Sequence, residues 1–182
     1  MIDLTKKTLP NTVMVGGKAF SVYTDFRLWM RFEIEAGKLK PGEFLDISYL
    51  FKNDCPYQCD IRELFAFSHP KNELPRQTGY ARNTIVLDYE LDSDFIYAAF
   101  LQQYGIDLCD VEELHWHKFL ALLRGITSDT KLYEIMGYRC YENSTKTYEE
   151  QMMENKYAWE IEPPMSEEEK EELNEFNKLF GG

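Results

Sequence analysis

Residues 92–126, DSDFIYAAFLQQYGIDLCDVEELHWHKFLALLRGI, constrain the fold more than any other stretch. They read as two helices joined by a tight corner. Asp92 or Ser93 supplies an N-cap, because a short side-chain oxygen accepts from the free N–H groups of a first turn. Between Phe95 and Tyr104 apolar residues lie almost all round (Phe95, Ile96, Ala98, Ala99, Phe100, Leu101), which suits a helix covered on most sides. Gly105 stands where a left-handed residue ends a helix. Ile106-Asp107-Leu108 then turn the chain, and Asp110 and Glu113 have capping-box spacing. Val111, Leu114, His115, Lys118, Phe119, Leu122 and Leu123 recur at helical intervals up to Gly125. The expectation is an αα-hairpin at the centre of a mainly α domain.

Upstream, TVMVGGKAFSVY (12–23) places two β-prone runs around Gly16-Gly17, the pair a primed hairpin turn accepts best. A lone hairpin is marginal, so this one must rest on a neighbour. Thr24 or Asp25 caps a helix to Ala36 that carries Phe26, Trp29, Met30, Phe32 and Ile34, with Gly37 closing it. Further helices are expected over 44–52 and from Pro56, a good first helical residue, to Ser68. Residues 69–91, with Pro70, Pro75 and Gly79, lose helical periodicity and read as a long connector with an extended piece at 84–87. Beyond the central pair, Ser128 or Asp129 caps a short helix ending near Gly137, and 147–159 is rich in helix formers. Pro163-Pro164 stop that run, and Ser166 with Glu169 opens a last helix. Four regions follow: 1–68, a hairpin plus helices; 69–91, a connector; 92–141, the central helical region; and 142–182, an acidic helical extension.

Charge narrows the partners. The net charge is −12. Residues 145–182 hold 11 acidic and 4 basic side chains, against 21 and 16 in residues 1–144. Nucleic acid requires clustered Lys and Arg, and an anionic membrane repels such a surface, so neither is expected. No apolar run reaches 18 residues and the N-terminus lacks a signal-peptide core, which points to a soluble cytosolic chain. Four cysteines are too sparse for a disulfide framework and are expected reduced.

No pattern for bond-making chemistry emerges, so no catalytic, metal-binding or cofactor-binding residues are expected. Cys55 and Cys59 with His69 match no closed zinc site closely. His115 and His117, two apart on a helix, would point away from each other, His115 inward and His117 to solvent. Cys109, just ahead of a helix, could have a lowered pKa, but a small half-buried residue is the commoner reading. Asp107 and Asp110 fit turn and cap roles better than an acid/base pair, and phosphate-cradling glycine motifs are absent. The aromatics Tyr97, Phe100, Tyr104, Trp116 and Phe119 are core at this spacing or a binding strip. Trp116, off the main stripe, is the one to face a second layer or a partner. Leu173, Phe176, Leu179 and Phe180 in the final segment form either one face of a solvated helix or an anchor for a partner groove.

The words IYAAFLQQYGIDL and LHWHKFLALLRGI, with the closing Tyr138-Arg139, resemble a family of small tail-region proteins of Gram-positive bacteriophages and prophages named after gene product fifteen. Ile96, Tyr97, Phe100, Tyr104, Gly105, Asp107, Leu108, His115, Trp116 and Phe119 match its pattern as fold-defining positions. The resemblance implies a tail assembly chaperone without catalytic residues, metal or cofactor. Its expected partners are the tape-measure protein, the major tail protein or a further copy of itself. A structural component retained in the virion is the alternative; a metal- or thiol-dependent enzyme comes third.

Overall fold

The computed structural model describes residues 2–40, 42–57, 59–70, 85–141 and 149–161. The architecture is mainly α with a small N-terminal hairpin, as the sequence led us to expect. Strands β1 (Thr12–Val15) and β2 (Lys18–Ser21) pair antiparallel, with Val15 opposite Lys18. Gly16 and Gly17 both have positive φ, 55° and 79°, which the two-residue primed turn demands and a Cβ would strain. Val13 and Val15 are buried, and the hairpin rests on α2 (Ile61–Ser68).

Helix α1 (Phe26–Gly37) begins at Asp25, whose carboxylate accepts from the Arg27 N–H. It buries Phe26, Trp29 and Phe32, at i, i+3 and i+6. Trp29 packs on Phe67 of α2 with ring centroids 4.4 Å apart. Helix α3 (Ser93–Tyr104) buries Ile96, Ala99 and Phe100 and ends at Gly105, left-handed at φ 65°. Asp92 holds the cap position without bonding the first turn; its Oδ2 accepts from the Asp88 N–H instead. Helix α4 is Trp116–Arg124. Phe119 sits where α1, α3 and α4 meet, stacked on Phe26 and on Phe100 at 5.0 Å each. Fully burying such a ring contributes ~1.5–3 kcal/mol.

The starts of α1 and α4 are tied together. Asp25 and His115 form an antiparallel bridge, in which Phe26 N–H donates to Leu114 O at 2.8 Å and Trp116 N–H to Thr24 O at 2.7 Å. Arg27 seals the corner: its Nη2 donates to Leu108 O and Val111 O, both at 2.8 Å, while its guanidinium lies over the Phe26 ring. Arg27→Met keeps the stem but removes both bonds, and only the one to Leu108 O is part-buried, so a loss of ~1–2 kcal/mol in urea unfolding is expected.

Four boundaries differ from expectation. The helix expected over 44–52 is a single 3-10 turn, Ser48–Leu50. Its backbone is claimed from outside: Tyr23 N–H donates to Leu50 O and Lys52 N–H to Ser21 O, extending the β2 edge, and Phe44 stands 99% exposed. Helix α2 starts after Asp60, which caps it, and not near Pro56. Asp110 and Glu113 form no capping box. Residues 107–113 are turns held by the Asp107 carboxylate, which accepts from Cys109 N–H and Asp110 N–H, and α4 begins only at Trp116. Finally, α5 (Lys131–Arg139) takes its cap from the Thr130 hydroxyl, which accepts from Tyr133 N–H, and it runs through Gly137.

The described residues form two compact units. One draws on Met1–Thr78 and Asp88–Glu134, the other on Gly79–Leu87 and Ile135–Gly182. In the second, buried Arg139 donates to Val86 O and to Trp159 O, the last residue of α6 (Glu149–Trp159), and Lys156 donates to Tyr141 O. The last helix expected from the sequence, with Leu173, Phe176, Leu179 and Phe180, falls outside the described residues, as do 71–84 of the connector.

Candidate partner-binding site

The signature side chains converge within the first unit. Phe100, Trp116 and Phe119 are buried; Trp116 and Phe119 stack at 5.5 Å, with Tyr89 at their edge. The Trp116 indole Nε1 donates to Ser68 O, the carbonyl that ends α2, at 2.9 Å. Tyr97 donates its hydroxyl to Asp107, and Tyr104 donates to Leu122 O, binding α3 to the loop below it and to α4. Tyr97, Tyr104, Asp107 and His115 keep part of their surface.

The histidines reverse their expected roles. His117 is only 4% exposed and His115 is half-buried, their rings 5.1 Å apart. The helical spacing argument fails because His115 precedes α4 as its cap. His115 Nδ1 accepts from the His117 N–H, so its Nε2 carries the proton and donates to Pro10 O. His117 Nε2 donates to Phe67 O, leaving Nδ1 buried without a partner among the described residues. Burial pushes the His117 pKa down to about 4, the bond to Phe67 opposing. Cys109 is exposed in the 107–113 turns, seven positions ahead of α4 and clear of any helix N-terminus.

A second cluster escaped the sequence reading. The Ser68 hydroxyl lies 3.0 Å from His69 Nδ1, and His69 Nε2 lies 3.3 Å from Glu33 Oε2. The order resembles a serine–histidine–carboxylate relay. Ser68 is 1% exposed and is the last residue of α2, so its hydroxyl is held inside the fold. Glu33 Oε1 has no partner among the described residues, and burial raises the Glu33 pKa against the opposing pull of Ser68 and His69. One signal was available. Glu33 follows Trp29 by four residues and so falls on the apolar face of α1.

The first unit also carries a cleft of about 240 Å³ between β1 and α2, lined by Thr12, Val13, Met14, Glu63, Ala66 and Phe67, with Pro10, Pro70 and His117 around them. That volume lies below the range of small-molecule sites, ~300–1,000 Å³, and suits one or two side chains. Glu63 Oε1 accepts from the Gly16 N–H at its rim.

Compared with known families, residues 6–161 match the one described as Bacteriophage Gp15 protein. The chain belongs to this family. Its members' pattern thus spans both the hairpin-bearing unit and α6, beyond the central signature that first suggested it. No curated relative and no solved structure matches this Gp15 family chain. Among the described residues no helix is long and apolar enough to cross a membrane.

Proposed function

We propose that this Gp15 family protein is a tail assembly chaperone that holds the tape-measure chain in solution while tail protein polymerises around it. Membership of the bacteriophage family over residues 6–161 is the observation that carries the reading. Two physical features support it. A surplus of −12 keeps an apolar complex dispersed. Several large apolar side chains of the first unit, Met14, Leu91, Leu101 and Tyr133 among them, face solvent and are free to share with a client. The role is one of binding alone, with protein partners and neither nucleic acid nor membrane. Co-expression with the tape-measure protein tests it. The client is expected in the soluble fraction, co-purifying with this chain, and insoluble without it. Mass spectrometry of purified particles separates the reading from that of a virion component: a chaperone is absent from them.

A further inference from the structure

We propose that the outer edge of β1 is a strand-addition site, and that its occupant is an extended segment of another polypeptide carrying an apolar side chain and, two residues along on the same face, a lysine or arginine. The hairpin register dictates the open edge. Val22 N–H donates to Asn11 O, and Val13 pairs with Phe20 and Val15 with Lys18 around a two-residue turn. Asn11, Val13 and Val15 therefore turn their backbone groups toward β2, and Thr12 and Met14 turn theirs away. The N–H and C=O of both residues have no protein partner among the described residues. Two donors and two acceptors in a row are the template that extended peptides add to, with side-chain pockets supplying selectivity. Such a pocket lies alongside, walled by Ala66 and Phe67 of α2.

Charge complementarity selects the occupant. Among the described residues Glu63 is the one charged side chain in the lining, and no cation pairs with it. His117 is held neutral by its burial. A second copy would bring another −12 and a second Glu63 to the same cleft, which repels it. A basic, partly apolar strand gains from both. The inference deepens the chaperone reading by naming how a client is gripped, and it rests on that reading only for the client's identity.

The test uses the full chain and a blocked eight-residue valine–lysine peptide, with threonine at the odd positions and valine and lysine taking turns at the even ones so that both share a face, and valine–glutamate and serine–lysine versions as comparators. Binding is followed by fluorescence anisotropy at low salt, and amide exchange at Thr12 and Met14 by NMR. The valine–lysine peptide is expected to bind at least tenfold tighter than either comparator and to slow exchange of both amides at least tenfold. Met14→Pro, or Thr12→Pro should the first fold poorly, removes an outward N–H and spares the bonds to β2. Either is expected to keep the melting temperature within a few degrees and to weaken the peptide at least tenfold. Glu63→Gln keeps the acceptor for Gly16 N–H and should abolish the preference for lysine over glutamate. Unchanged exchange at Thr12 and Met14, or a proline variant that binds as wild type does, overturns the proposal. Because the peptide arm involves no tail protein, the edge can fail while client co-purification succeeds, and the converse.

Discussion

Trp116→Ala is expected to cost ~3–5 kcal/mol, a large share of the ~5–15 kcal/mol by which native domains are stable. The indole is fully buried, stacked on Phe119, and its Nε1 satisfies the last carbonyl of α2. Truncation therefore opens a cavity between α2 and α4 and orphans Ser68 O as well. Trp116→Phe separates the two effects. It keeps most of the ring packing and loses only the hydrogen bond, so it should cost ~1–2 kcal/mol. Urea unfolding followed by circular dichroism measures both. An alanine variant that melts with wild type yet no longer binds the tape-measure chain would make Trp116 a contact residue and remove it from the core.

The second large effect is a loss of stability in mild acid that runs through His117. Its folded pKa, about 4, lies below the ordinary value of 6.5. Between those values the unfolded chain takes up a proton that the fold refuses. Stability is then complete above pH 6.5 and declines as pH falls toward 4, by ~3 kcal/mol in all. His115, its pKa also lowered by burial, acts in the same direction. Glu33 has the opposite sign: burial raises its pKa, so the fold holds a proton the unfolded carboxylate has released, and acidification through that window helps. His117→Gln retains a donor for Phe67 O and cannot titrate. Urea midpoints from pH 7 to 4.5 should fall less steeply for it than for wild type, and more steeply for Glu33→Gln. Parallel curves for wild type and His117→Gln would refute the assignment.

What could be read from the sequence was local in origin. Gly16-Gly17, Asp25 and Gly105 announce a turn, a cap and a stop because each acts through its own backbone or its neighbour's. The failures are residues whose roles are set from far along the chain. Segment 44–52 carries helix formers, yet Ser21 and Tyr23 take its hydrogen bonds. His115 sits at helical spacing from Phe119, yet its bridge to Asp25 delays α4 until Trp116 and hands the cap to an imidazole. Where α4 begins then decides which histidine is buried. The Glu33–Ser68–His69 cluster and the β1–α2 cleft join residues more than thirty positions apart, and no periodicity encodes either.

The bridge between Asp25 and His115 has a consequence for how the protein is born. Leu114 N–H meets the Asp25 carboxylate across 89 positions of sequence. On a ribosome adding ~5–20 residues per second, the first helix waits roughly 5–20 s before the strand that closes over it emerges. Through that interval Phe26 has no Phe119 to stack on, and a nascent chain cut short before residue 114 should be sticky and protease-sensitive. A protein proposed to shelter another's apolar surface thus spends its own first seconds in need of shelter.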